Sequence, residues 1–360
     1  MSLLSKMKTL LPILLLAVVA LCVSEARAQE ELKLGKPMPP MPEGVWVGEA
    51  ADTQGEQVKM LLFWEPTRTE SRLAFPILSQ LQQRWGTDRL SVIGIGVEQL
   101  EDDQKPYVKP WIIRQSTRIK FPVVIVQRNK LNRAWRKNLT PPYFFMVIVS
   151  ADNTVQAIVN PLSSEVNRLI ARLIGGRYDI NAMDQGKLYL EQLERYQLSR
   201  DWRQYALVMD RLNSISQKVY ADQELDFIVS MLTEQDNYDE GLARINASIT
   251  DRAAVDPDYL GMLAERLATD PTIPDDRRPL EIAEKAARES LIAAGTSEAK
   301  SRAMIRHAEV VYKQGKTAAA IAEAKQAYRI APPNVKSDFK ERWVDMKRRA
   351  LADGRTAAGA

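Results

Sequence analysis

Between residues 57 and 174 short apolar runs alternate with helical periodicities, and after Tyr178 no strand-like run recurs. A chain that changes hydrophobic period once in this way is expected to form two domains, the first α/β and the second all-α. In the first, Val58–Trp64 reads as a strand. Ser71–Trp85 reads as a helix with Leu73, Phe75, Leu78, Leu81 and Trp85 near one face, and Leu90–Val97 as an apolar strand buried on both sides. Tyr107–Gln115 reads as a short helix, Val123–Val126 as a strand and Lys130–Lys137 as a helical turn region. Tyr143–Val149 and Thr154–Val159 read as a hairpin turning at Asp152-Asn153, and Ser163–Ile174 as a helix stopped by Gly175-Gly176. The implied fold is a sandwich with a central mixed sheet flanked by helices. Residues 29–56 precede it as an extended lead-in with Pro37, Pro39, Pro40 and Pro42 in quick succession. The domains are expected to span residues 57–176 and 177–350, with the boundary at Gly175–Asn181 and a flexible tail at 351–360.

Cys22 is the chain's one cysteine, so no intramolecular disulfide is available and stability must come from packed cores. It lies in a stretch, residues 1–28, that reads as a secretory signal. Lys6 and Lys8 precede the apolar run Leu10–Val23, and Ala26-Arg27-Ala28 fits the small-x-small cleavage rule. The protein is therefore expected to be exported, to a periplasmic or other extracytoplasmic space. A membrane contact is expected only through this segment, should it stay uncleaved. Removing it takes Lys6, Lys8 and Arg27 against Glu25, so the formal charge falls from +4 to about +2, no footprint for nucleic acid. With 45% hydrophobic and 27% charged residues, the composition is globular rather than disordered.

The segment "KMLLFWEPTRTESRLAFPILSQL" resembles the strand, active-site turn and first helix of the thioredoxin-like family, in its exported TlpA-like (redoxin) branch. "LSVIGIGVEQ" resembles that branch's second strand, "TRIKFPVVIV" the segment ending in Phe-Pro-Val, and "TPPYFFMVIVSADNTV" the cis-proline loop and hairpin. The resemblance covers about a third of the chain. It implies a thioredoxin-like sandwich, with Pro142 matching the family's cis-proline. It also implies a redox site at Thr67, Arg68, Thr69, Glu70 and Ser71, where the family's two cysteines are replaced by Arg68 and Ser71. Thiol–disulfide exchange needs a thiolate to attack and a second thiol to resolve the mixed disulfide, so the family's activity is not expected to carry over. Thr67-Arg68-Thr69-Glu70 instead reads as a capping box, with Glu70 suited to the positive end of the helix dipole. Two readings stand: a retained scaffold without ligand, or free amides and Arg68 holding an anion beside Pro142.

In the second domain, "HAEVVYKQGKTAAAIAEAKQAYRIAPP" resembles one tetratricopeptide repeat, with Ala308, Gly315, Ala320, Ala327 and Pro332 at its small-residue, turn and closing positions. Trp202–Leu212, Tyr238–Ile249 and Leu280–Ser290 resemble further second helices. Taking Ala206, Gly241, Leu280 and Ala320 as equivalent gives intervals of roughly 35 to 40 residues, near the ~34 of such repeats. The resemblance implies stacked helical hairpins whose concave face binds a protein or peptide, or packs against the first domain. "KERWVDMKRR" reads as a solvated final cap.

No other chemistry is expected. His307 is the sole histidine, too few ligands for a metal and no base for a recognisable nucleophile. Gly94-Ile95-Gly96 lacks the third glycine of a dinucleotide loop. Asp102-Asp103 reads as a solvated turn, and Arg128, Lys130, Arg133, Arg136 and Lys137 as a solvated face over Trp135. No cofactor is expected. The favoured function is an exported, non-catalytic protein that binds or scaffolds a protein partner. The alternative is an oxidoreductase of cell redox homeostasis working through a partner's thiol.

Overall fold

A computed structural model of the chain describes residues 32–354, apart from 67, 99–105, 132–134, 136–142, 235–236 and 334. It divides into two compact units that part at Gly175 and Gly176.

The first unit is built on a six-stranded mixed sheet. Its strands are β1 (Val45–Val47), β2 (Val58–Trp64), β3 (Leu90–Glu98), β4 (Val123–Gln127), β5 (Phe144–Val149) and β6 (Val155–Val159), in the order β1-β4-β3-β2-β5-β6. β2, β3 and β4 run parallel, whereas β1, β5 and β6 pair antiparallel to their neighbours. Every residue of β2 and β3 is buried, which is why both read as continuous apolar runs rather than alternating ones. With helices α1 (Thr69–Trp85), α2 (Val108–Arg114) and α3 (Glu165–Ile174), this is a thioredoxin-like sandwich. Asn153 closes the β5–β6 hairpin with φ 65°, a left-handed conformation that asparagine tolerates.

Two expectations need correction. Leu73 does not share the inner face of α1: it is 57% exposed, while Ser71, Ala74, Phe75, Leu78 and Gln82 point inward. The segment before residue 57 is more than a lead-in. Leu32 is buried, and Met38, Met41 and Trp46 pack on the sheet face formed by Leu61, Phe63, Ile93 and Ile95. Backbone bonds tie Gly35 and Lys36 to Val155, and β1 covers the outer edge of β4. The lead-in thus covers β4 and pairs with the start of β6, which shortens the edge open to edge-to-edge pairing.

The second unit is all-helical among its described residues. α4 (Ile180–Ser199) and α5 (Trp202–Ser216) come first and share a core of Leu193, Tyr205, Met209 and Leu212. The next six helices form three consecutive pairs: α6 (Ala221–Thr233) with α7 (Tyr238–Arg252), α8 (Pro257–Thr269) with α9 (Leu280–Ile292), and α10 (Ser297–Lys313) with α11 (Thr317–Ile330). α12 (Lys336–Ala352) follows, running past residue 350 where the tail was expected to begin. The connection between α10 and α11 is a glycine cap. Gly315 has φ +81°, its N–H donates to the Tyr312 carbonyl at 3.0 Å, and the Lys316 N–H donates to the Val311 carbonyl at 3.1 Å. Ala308, Ala320 and Ala327 are fully buried where α10 and α11 meet, and Pro332 sits half-buried after the second helix. The cores are layered: Leu225, Ile228, Leu263 and Leu267 in one cluster, Ile305, Ile321 and Phe339 in the next.

Candidate functional site

The turn expected from sequence to match the redox site of the resembled family lies at the end of β2 and the start of α1. β2 ends in Trp64, and Glu65 and Pro66 lead to Arg68, the cap residue of α1. The Glu65 carbonyl accepts twice, from the Arg68 N–H at 3.2 Å and from the Ser71 hydroxyl at 3.0 Å. Ser71 is fully buried, so its one proton is committed and its oxygen is shielded from any substrate in solution. Arg68 places its guanidinium 3.3 Å from the Glu70 carboxylate, with both side chains partly exposed. The helix start is therefore not capped from its own cap residue, which makes no side-chain bond there. Thr67, the other half of the expected box, and Pro142, the expected cis-proline, lie outside the described residues; Thr69 is exposed.

Beneath this turn lies an aromatic cluster. The Trp64 ring meets Phe75 edge-on with centroids 5.0 Å apart, and Trp111 lies 5.0 Å away from Trp64 on α2. The glycines of Gly94-Ile95-Gly96 exist for this packing. A Cβ on Gly94 would stand 3.3 Å from the Trp64 indole nitrogen, and one on Gly96 would stand 3.1 Å from the same ring and 2.9 Å from Val108. Glu98, buried at the end of β3, accepts from the Tyr107 and Val108 N–H groups at 2.7 and 3.0 Å and so caps α2. That role was missed from sequence, although an acidic residue closing an apolar strand was its visible signal. The assembled groups can pack, cap and pair ions. None of the described groups is a thiol.

The other expected sites fare differently. Trp135 is buried against Phe63 and donates to the Pro40 carbonyl at 2.8 Å; Arg133, Arg136 and Lys137 lie outside the described residues, as does Asp102-Asp103. His307 has its Nδ1 2.8 Å from both carboxylate oxygens of Glu323, linking α10 to α11. Among the described residues no group of three or more histidine, cysteine or acidic side chains converges as a metal site.

In the helical unit, the first helices of the later pairs share an ion-pair ladder with α12. Asp258 on α8 is met by Arg306 at 2.7 Å, Arg302 at 3.8 Å and Arg177 at 3.3 Å. Arg306 also reaches Glu265, which pairs with Arg342; Glu309 then joins Arg342 to Arg349. Burial pushes the Asp258 carboxyl up, but the three guanidinium groups outweigh it and bring it down to about 2. The Arg306 side chain lies against Gly261, where a Cβ would come within 2.9 Å of its guanidinium and 3.1 Å of its Cδ. Between α6 and α8 an open groove of about 550 Å³ is lined by Asp222, Leu225, Asp226, Met262, Glu265 and Arg266. Burial holds the Asp226 carboxyl above its usual range, with Arg266 opposing and Asp222 and Asp270 reinforcing the shift.

Structures similar to the chain include a thioredoxin-like protein in its oxidized form, 19% identical, covering 40% of this chain and 99% of its own, with a TM-score of 0.34. The thioredoxin domain of a thiol-disulfide oxidoreductase from Bacteroides vulgatus is 14% identical over 39% of this chain and 99% of its own, at 0.32. A thiol-disulfide isomerase from Corynebacterium glutamicum is 15% identical over 39% and 96%, at 0.33. No protein-family model matches the chain, and no curated protein sequence matches it.

Proposed function

We propose that the protein is an exported, non-catalytic member of the thioredoxin-like fold that acts as a protein-binding or scaffolding module through tetratricopeptide-like repeats in its helical unit. The observation that carries this reading is the pair Arg68 and Ser71: the first cannot attack a disulfide, and the second is buried with its hydroxyl bound to Glu65. Cys22, inside the signal-like segment, is the one thiol the chain could contribute. The groove between α6 and α8 supports a binding role, because it sets Asp222 and the Asp226–Arg266 ion pair beside Leu225 and Met262. Its chemistry suits an apolar peptide carrying basic side chains. Affinity purification from an envelope fraction with the full chain, run beside Asp226→Lys/Met262→Glu, tests this. A partner retained by the wild type and lost by the variant is expected; no partner for either contradicts the reading.

The second reading, an oxidoreductase working through a partner's thiol, rests on the fold alone. It predicts that the chain accelerates insulin reduction only when a thiol protein from the same compartment is added. The scaffold reading predicts no acceleration with or without it.

A further inference from the structure

The outer stripe of the last helix differs from the rest of the helical unit in how its charges are used. The arginines of α12 are engaged: Arg342 with Glu265, Arg348 with Asp345 at 3.6 Å, and Arg349 with Glu309 at 2.9 Å. Its lysines are not. Among the described residues, Lys336, Lys340 and Lys347 on α12 and Lys325 on α11 have no carboxylate within ion-pair distance. At about 100° per residue, Lys336, Lys340, Trp343, Val344, Lys347 and Leu351 fall within one stripe about 100° wide. Asp338, Glu341 and Asp345 fall outside it.

Three of these lysines gather around one stacked ring pair. Tyr328 and Trp343 lie with centroids 5.7 Å apart and planes 10° apart. The Lys325 and Lys347 ammonium groups stand 5.9 and 5.5 Å from the Trp343 ring, and that of Lys336 stands 5.5 Å from Tyr328. Val344 and Leu351, 40% and 70% exposed, continue the stripe with apolar surface. A solvated cap of the kind expected from sequence would intersperse both signs on its open face. This face carries one sign, two rings and two aliphatic side chains.

We infer that the α11–α12 face docks on an anionic lipid surface, independently of whether the α6–α8 groove binds a protein. Lysine stems lie along apolar surface while their heads reach the phosphates, and Trp343, Val344 and Leu351 enter the headgroup boundary. An acidic peptide would satisfy the ammonium groups but would leave Val344 and Leu351 in water, so the lipid surface fits more of the stripe.

Co-sedimentation of the full chain with vesicles tests this. Binding is expected to phosphatidylcholine vesicles containing about 30 mol% phosphatidylglycerol, with little to phosphatidylcholine alone, and a loss of several-fold as salt shortens the screening length. Lys336→Ala/Lys340→Ala/Lys347→Ala is expected to weaken partition at least about tenfold, and Val344→Ser/Leu351→Ser a few-fold at constant salt, with unchanged far-UV circular dichroism. Should the triple variant not fold, Lys347→Glu alone is expected to give a several-fold loss. The inference is overturned by absence of binding to the anionic vesicles, or by binding that survives the lysine substitutions. It is equally overturned if polyglutamate binds while the vesicles do not, which would assign the face to an acidic protein.

Discussion

The two units bury polar side chains for different purposes. In the sheet unit they serve the backbone of a neighbouring segment. Gln82 donates to the Leu90 carbonyl and accepts from the Val92 N–H, and Ser79 bonds the Arg118 carbonyl and the Lys120 N–H. Lys59 donates to the Gly55 carbonyl at 2.6 Å and to Asn153, although burial holds its ammonium below the usual lysine range. In the helical unit, helix interiors satisfy their own backbone, so buried charges meet one another across helices. Glu224, 2% exposed, is gripped at two oxygens by Arg244 from α7 and at 2.8 Å by Asn213 from α5. Side chains turn to backbone there chiefly where helices end, as Arg278 does on the Leu267, Ala268 and Asp270 carbonyls. Sheets leave loop groups to be completed, whereas stacked helices leave register to be fixed.

That contrast can be broken in order of effect. Glu224→Ala removes the buried carboxylate from Arg244 and leaves it only the exposed Asp210 at 2.8 Å, and is expected to cost about 3 kcal/mol by urea unfolding. Glu224→Met/Arg244→Met is expected to recover much of it, because the pair sets register more than it adds stability. Full destabilisation in the double variant would show that the ion pair itself carries the energy. In the sheet unit, Gln82→Ala leaves the Leu90 carbonyl and the Val92 N–H without their partner and is expected to cost about 2–3 kcal/mol. A loss confined to a few tenths would mean that water replaces the amide.

The ladder on α8, α10 and α12 adds a pH signature. The Asp258 carboxyl is depressed from an unfolded value near 3.8 to about 2. Its contribution is therefore complete above pH ~4 and lost as pH falls from ~4 through ~2. Asp258→Asn is expected to flatten stability over that window, read as thermal midpoint against pH. The smallest effect belongs to the α4–α5 turn, where Arg200 adopts φ 55° without being glycine. Arg200→Gly is expected to stabilise by about 0.5–1 kcal/mol, since the left-handed region costs a side chain what glycine does not pay. A destabilised variant would show that its long contact with Glu234 outweighs the strain.

How much of this was legible follows the same division. β2 and β3 were readable because burial on both faces leaves long apolar runs, at residues 60–64 and 92–97, and α10 and α11 because Gly315 and three alanines mark a close helical turn. β1 was not: three residues, partly exposed, take their strand character from pairing with β4 rather than from any period of their own. Leu73 departs from the face its apolarity implies because the inner face of α1 is partly polar, with Ser71 and Gln82 on it. That Arg68 and Ser71 are not cysteines was plain in the sequence. The burial of Ser71 and the Arg68–Glu70 pair needed coordinates, as did the Glu224 network and the Asp258 ladder, whose members lie on different helices.

The most direct test of thiol-free function is insulin reduction driven by dithiothreitol in the presence of the purified chain carrying Cys22→Ser. The account predicts a rate equal to that of dithiothreitol alone. A catalysed rate that survives the substitution would contradict it.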